Sequence, residues 1–401
     1  MDLSALNWNQ ISNTIIGIIL LPFSLRTVKS LIDNKQTLFD EDLTKADRTI
    51  LKQAALFVLL PIVVLVHELG HLLACYVYQV KVVSFHWALF WGEVSWRGTV
   101  TPAAPAVIAA AGNLFQLACA LSALLVALAV RSPAVVALAT YTYLWAGFSC
   151  LVFYPLVSIA SWDYDFAILY GSPDKRIVWG AALIHIILAW GFIYSFVSDR
   201  TKLWFAEKTR PVWAREFKRI KDTAQREGTA VSYLALAWQY YLVGLDGPAE
   251  KTLQTVEQLD EENLDVWLLR GYIMQSQSKF DTADYCFEKI VQGNSDSTLR
   301  ARAYMAKGHC LFEKMSEAKL KDMQPVLTSY KHAAQSAKDL ADPHYYMAIV
   351  YKEEKNLESA EIELKICQNA QRQGLNWLDP VLANMARQEL LSLRNASKEK
   401  Q

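Results

Sequence analysis

Two histidines four positions apart, with a glutamate after the first, are the residues of this 401-residue chain best suited to chemistry: His67-Glu68-Leu69-Gly70-His71. On a helix this spacing puts both imidazoles on one face. It suits two ligands of a tetrahedral zinc ion, and the intervening glutamate can take a proton from water. The surroundings sharpen the reading. Residues 54–80, AALFVLLPIVVLVHELGHLLACYVYQV, are otherwise apolar and long enough to cross a bilayer. Three ionisable side chains in hydrocarbon are costly unless they bind something or react. As a purely structural pair, the histidines would leave Glu68 a buried carboxylate with no evident partner. A catalytic zinc site also needs a third protein ligand and an open position. Asp163 and Asp165, in FYPLVSIASWDYDFAILYG just past another apolar helix, are the candidates. Residues two apart point in different directions on a helix or a strand, so one of the two reaches the metal.

The elements that must position these groups follow from apolar length. Five helices are expected, over about 8–25, 54–79, 103–130, 133–159 and 177–197. Between the second and third lies KVVSFHWALFWGEVSWRGTV, residues 81–100, β-branched and aromatic with Gly92 at its centre. It reads as a hairpin at the membrane interface, where Trp87, Trp91 and Trp96 are well placed. His86 in it is expected to be a surface residue, and His185 in the last span an interhelical hydrogen-bonding group. The first apolar run lacks the flanks of a cleavable signal and reads as a short span or signal anchor.

The chain is 53% hydrophobic and 20% charged, but the average joins two unlike halves, apolar to about residue 198 and polar beyond it. With 40 basic and 40 acidic residues the net charge is zero, so bulk electrostatics give no sign of nucleic-acid binding. Six scattered cysteines form no CxxC pair, which argues against a thiolate zinc site or a disulfide framework. Free cysteines in the polar half favour a reducing compartment. That half carries an internal repeat: Tyr233 and Trp267 are 34 apart, the tetratricopeptide period. Ala237, Ala249 and Leu253 follow the first, and Gly271, Ala283 and Phe287 follow the second at the same offsets. Further units begin near Tyr304 and His344, with an insertion in the third. Small residues there let helix pairs pack closely into a solenoid, whose concave face suits a peptide or protein partner. His309, His332 and His344 read as solenoid residues. The expected fold class is thus an all-α membrane protein of about five transmembrane helices and a short interfacial β-hairpin, followed by a soluble α-solenoid. The expected domains are a transmembrane domain 1–198, a basic linker 199–229 and a repeat domain 230–395.

Residues 50–198 resemble the site-2 protease family of intramembrane zinc metalloproteases. In that family the HExxH helix precedes a β-hairpin, then a helix with an AGPxxN-like segment, then a helix with NxxP and an aspartate. Here Ala111-Gly112-Asn113-Leu114-Phe115-Gln116 and Val152-Phe153-Tyr154-Pro155 stand in those places. Asn113 replaces the proline, Gln116 and Val152 replace the asparagines, and no glycine follows either aspartate. The resemblance implies Zn2+ held by His67, His71 and Asp165, with Asp163 the alternative ligand, and Glu68 as general base. It implies that the hairpin presents an edge to an unwound substrate segment and that the substrate is another membrane protein; Asn113 and Gln116, if they face the site, would orient substrate, and packing between helices is the equal alternative. The alternatives are a catalytically inactive relative acting as a membrane-bound scaffold, and a plain membrane anchor for the repeats. Lys and Arg crowd segments 26–52 and 200–221, which by the positive-inside rule puts the repeats on the cytoplasmic side of a cell's inner membrane. The family's usual orientation of the HExxH helix argues for the other side.

Overall fold

The computed structural model describes residues 8–161, 164–317 and 322–398. The chain divides into two compact units, 1–218 and 219–401.

The first unit begins with α1 (Trp8–Asp33), α2 (Lys35–Leu38) and α3 (Lys45–Ala54). A π-helical turn at Ala55–Leu59 joins α3 to α4 (Leu60–Val77). Strands β1 (Lys81–Trp87) and β2 (Gly92–Arg97) follow, then α5 (Ala104–Ala129) and α6 (Pro133–Phe148). A second π-turn, Ser149–Phe153, leads to α7 (Tyr154–Ser161), α8 (Tyr164–Tyr170) and α9 (Lys175–Val197). The unit closes with α10 (Asp199–Thr209) and the first half of α11 (Pro211–Glu227). The helix starts have local causes. Thr44 and Asp47 form a reciprocal capping box at α3, Thr44 Oγ1 accepting from the Asp47 amide at 3.1 Å and Asp47 Oδ2 from the Thr44 amide at 3.0 Å. Pro105 and Pro133 stand in first turns, where a missing N–H costs nothing.

Among the described residues, five helices are long and apolar enough to cross a membrane: Ile15–Asp33, Lys45–Val77, Ala104–Ala129, Pro133–Ser161 and Lys175–Val197. They answer to the five expected spans. The first reaches further than the sequence suggested, and the second and fourth contain π-turns that apolar length cannot reveal. Where these helices meet, alanines pack backbone against backbone; Ala104, Ala120, Ala137 and Ala146 are fully buried. Their outer faces are bare, with Trp179, Leu183, Ile186 and Trp190 of α9 all more than 60% exposed. The hairpin lies where expected. Its strands pair antiparallel from Lys81↔Arg97 to Trp87↔Gly92, with a bulge between Val82 and Ser84. It is fastened to α4 by Trp87 Nε1, which donates to the Pro61 carbonyl at 3.3 Å.

The stretch expected to be a basic linker is helical, and its first part belongs to this unit. Phe205 of α10 packs edge-on against Tyr141 at 5.6 Å and joins a cluster with Leu38, Leu51 and Ala137. The Leu43 amide donates to the Thr209 carbonyl at 3.1 Å. A high charge count hid the apolar stripe that docks this helix.

The second unit is a helical repeat solenoid. Its pairs are α12 (Ala230–Leu242) with α13 (Asp246–Leu259), and α14 (Asp265–Ser276) with α15 (Phe280–Gln292). They continue with α16 (Ser297–Glu317) and α17 (Gln324–Ser336), then α18 (Asp342–Glu353) and α19 (Leu357–Gln368). The last helix is α20 (Pro380–Lys398). The small residues picked out by the repeat sit at the helix contacts: Ala237, Ala249, Ala283, Ala348 and Ala360 are fully buried, and Phe287 fills the space over Gly271. Among the described residues all six cysteines are free. His344 is a solenoid residue, its Nδ1 2.7 Å from Glu363 Oε2.

Candidate metal centre

Helix α4 turns His67 and His71 toward α5, and the far side of each ring is fixed first. His71 Nδ1 lies 2.8 Å from the Ile108 carbonyl oxygen. His67 Nδ1 lies 3.1 Å from Gln116 Oε1, and the amide of Gln116 is oriented in turn by its Nε2, which donates to the Ala146 carbonyl at 3.4 Å. Carbonyl oxygens only accept, so this network assigns the hydrogen to Nδ1 on both rings. Each Nε2 of a neutral imidazole then carries a lone pair.

These two lone pairs face each other. Nε2 of His67 and Nε2 of His71 are 3.0 Å apart, and each is 3.1 Å from Asp165 Oδ2. Three acceptors thus converge in a buried place, with His67 at 6% and His71 at 7% exposure. Asp165 Oδ2 accepts from Tyr154 and Asn113, but between it and the two ring nitrogens only an added proton or a cation offsets the repulsion. The donor chemistry fits zinc: two imidazole nitrogens and a carboxylate, with the remaining ring nitrogens hydrogen-bonded as in metal-binding histidines. Ligand atoms about 2.1 Å from a tetrahedral ion stand about 3.4 Å from one another. The spacing here is a few tenths of an ångström shorter, so a modest outward shift accommodates the ion.

Glycines make room for this cluster. α5 passes so close to the imidazoles that a methyl group at Gly112 would overlap Nε2 of His71 and crowd Nε2 of His67. At the start of β2, a methyl at Gly92 would overlap the carboxylate of Glu68. The hairpin therefore closes directly over the glutamate. Glu68 is 4% exposed and shares with His67, His71 and Asp165 a cleft of about 300 Å³, walled on one side by β2 and on another by Tyr154 and Ile168.

His67, Glu68, His71 and Asp165 are brought together as the sequence led us to expect. Asp163 lies outside the described residues. Gln116 holds His67 and Asn113 holds Asp165, and neither Asn113 nor Gln116 lines the cleft. Gln116 grips His67, and Asn113 Nδ2 donates to Asp165 Oδ2 at 3.2 Å and to the Ala109 carbonyl at 3.3 Å. Their place one turn apart on α5, which packs against α4, aims them at His67 and Asp165. His185 is an interhelical group as expected. Its Nε2 donates to the Leu151 carbonyl at 2.9 Å, and its Nδ1 accepts from Tyr170 Oη at 2.6 Å. Leu151 sits in the π-turn, and such turns occur preferentially at functional sites. His86 lies exposed on β1 opposite Glu93. Sequence reasoning missed Tyr154, whose hydroxyl donates to Asp165 Oδ2 at 3.2 Å. Its position beside Pro155 in the segment carrying the family resemblance was the available signal.

No protein-family model matches the chain, and no curated protein matches it. Among solved structures, one that is similar is the crystal structure of MamA, with 15% identity and a TM-score of 0.31, covering 42% of this chain and 93% of that one. Another is the crystal structure of the APC/C hetero-tetramer Cut9-Hcn1, with 13% identity and a TM-score of 0.33, covering 85% of this chain and 72% of that one. Overlaps this partial carry no functional argument, and the repeat architecture stands on the helix pairs themselves.

Proposed function

We propose that the chain is an intramembrane zinc metalloprotease of site-2 type that hydrolyses peptide bonds of membrane-protein substrates, with the solenoid binding a substrate or a regulatory protein. The observation that carries this reading is the convergence of three acceptor atoms, Nε2 of His67, Nε2 of His71 and Oδ2 of Asp165, within about 3 Å of one another under a buried glutamate. Burial of unreconciled lone pairs is destabilising, so the arrangement makes sense as a binding site. The bare faces of the five apolar helices support membrane insertion, since a protein in water would leave those aliphatic and tryptophan side chains as one extended apolar surface.

His67, His71 and Asp165 would hold the ion, and Gln116, the Ile108 carbonyl and Asn113 would fix the ligand orientations. When bound, zinc supplies a Lewis acid that polarises the scissile carbonyl and lowers the pKa of water to about 7. Glu68 would accept the proton of the attacking water and return it to the departing amine. The cleft beside β2 would receive the substrate as an extended segment. Burial under the hairpin would limit competing water.

The test uses full-length protein in detergent and in cells. Zinc should bind at one per chain, and His71→Ala should abolish it. Glu68→Gln should retain the metal and lower proteolysis by about 10²–10⁴-fold, the usual contribution of a general base. Quantitative proteomics of membrane-protein fragments with and without Glu68→Gln would reveal substrates. A metal-free parent sinks the reading. Bound metal with no fragments dependent on Glu68 would leave the inactive scaffold.

A further inference from the structure

Asp165 differs from the two histidines in how it is held. The histidines sit on one long helix, which fixes their spacing. Asp165 sits in the first turn of α8, a helix of only seven residues entered through Tyr164 in the left-handed region (φ 67°). So short a helix has little stability of its own. Something else must bring its carboxylate to within 3.1 Å of both imidazoles.

The neighbouring helix α7 does so from one face. Ser158 Oγ, fully buried, accepts from the Ala167 amide at 3.0 Å. One turn earlier, Tyr154 Oη donates to Asp165 Oδ2 at 3.2 Å. The Tyr154 ring stands edge-on to His67 at 5.8 Å and to Phe166 at 5.9 Å, so it is wedged between the histidine helix and α8. The π-turn at Ser149–Phe153 shifts the angular phase of helix α7, and Tyr154 is the first residue of that helix. Val152, in the same segment, has no polar side-chain atom with which to perform this role.

Resting on the metalloprotease reading, we propose that Tyr154 is a positioning residue for the third ligand: its phenolic hydroxyl orients the Asp165 carboxylate toward His67 and His71. Asn113 Nδ2 reaches the same oxygen from α5, so the carboxylate is held from two helices. Removing the hydroxyl leaves the ring's packing in place and leaves the carboxylate held by Asn113 alone, looser on its short helix.

The experiment compares the parent, Tyr154→Phe and Asp165→Ala as full-length protein in detergent. Each is titrated with Zn2+ against a chromophoric chelator, and the visible spectrum of the Co2+-loaded form is recorded. Tyr154→Phe should weaken zinc binding by about 10–100-fold, the usual effect of losing a partner of a ligand. It should also alter the Co2+ bands, while circular dichroism and elution volume match the parent. A purely structural tyrosine would leave the Co2+ spectrum unmoved. Zinc affinity and Co2+ bands equal to the parent's would overturn the proposal and leave the metalloprotease reading standing. A parent that binds no more metal than Asp165→Ala would overturn both. If Tyr154→Phe does not fold, 3-fluorotyrosine at position 154 keeps the shape and strengthens the donor. An unchanged Co2+ spectrum in that protein refutes the proposal equally.

Discussion

Each unit of this chain encloses a cluster of charged or ionisable side chains, and the two clusters are built on opposite principles. In the solenoid, Arg270 lies between Glu250 and Glu257. Its guanidinium makes paired hydrogen bonds to both carboxylates at 2.8–3.3 Å, and it sits over the Trp267 ring at 5.1 Å. Donors meet acceptors throughout, and the hydrogen bonds from Arg270 hold the Glu257 carboxyl below its usual range. Under the hairpin, His67, His71 and Asp165 present acceptors to one another. The solenoid cluster completes itself with protein atoms, which is the mark of a structural device. The α4 cluster balances its acceptors only when a proton or a cation is added among them. The two clusters also differ in burial: the histidines are almost wholly enclosed, whereas Arg270, Glu250 and Glu257 are half-buried.

The largest expected effect comes from filling the space that the cluster of His67, His71 and Asp165 depends on. Gly112→Ala puts a methyl group onto Nε2 of His71. It should lower zinc affinity by about 100-fold or more, at the upper end of what disturbing a ligand's surroundings costs. Overpacking of about 1–3 kcal/mol should leave the helices formed. Zinc stoichiometry after dialysis, read beside circular dichroism, checks it. A variant that keeps its zinc would mean the two helices do not need to approach so closely, and the contrast would weaken.

The parts of this design visible in the sequence are those set by local geometry. His67 and His71 share a face because of helical spacing alone, the hairpin announces itself through β-branched residues around Gly92, and the 34-residue period of Tyr233 and Trp267 fixes the helix pairs. The hidden parts depend on how helices cross. The π-turns at Ala55–Leu59 and Ser149–Phe153 lie in helices apolar on every side, where periodicity has nothing to register. Asn113 and Gln116 were legible as polar residues in an apolar helix, but their aim at Asp165 and His67 follows from where α5 meets α4. The preference for Asp165 over Asp163 came from resemblance to a family pattern, since the packing of α7 against α8 is not written in the spacing of two aspartates. Phe205 and Thr209 dock α10 although its composition reads as solvated.

A smaller effect tests the self-sufficient cluster. Arg270→Met should leave Glu250 and Glu257 without their cation. Breaking a fully buried pair costs about 3–5 kcal/mol. Here the glutamate side chains keep 29% and 35% exposure, so water screens the loss and about 1–3 kcal/mol is expected. Adding Glu250→Gln and Glu257→Gln removes the unpaired charges and should return most of that stability. Hydrogen exchange of α13 and α14 in the full-length protein reads the difference. If the triple variant opens as readily as the single one, the cluster's stability does not come from its charge balance.

The smallest effect lies where the solenoid breaks its own rule. His309 Nε2 is buried without a hydrogen-bond partner among the described residues, and the ring is packed edge-on against Tyr346 at 4.3 Å and Tyr330 at 5.6 Å. Burial pushes this imidazole down from 6.5 to about 4. Above the unfolded value the residue is neutral whether or not the chain is folded, and its contribution to stability is complete. As pH falls below 6.5 the unfolded chain takes up a proton that the folded solenoid refuses until about pH 4, so stability declines across that window. By about pH 5 the loss should be on the order of 1–2 kcal/mol. Faster exchange of α16 and α17 at about pH 5 than at about pH 7.5, corrected for intrinsic rates, is the expected signature, and His309→Phe should flatten it. An equal acid response in the variant would assign the effect to the carboxylates of the solenoid. His309 would then be an uncharged packing residue over this range, and the contrast between the solenoid's paired charges and the converging acceptors of α4 would be sharper.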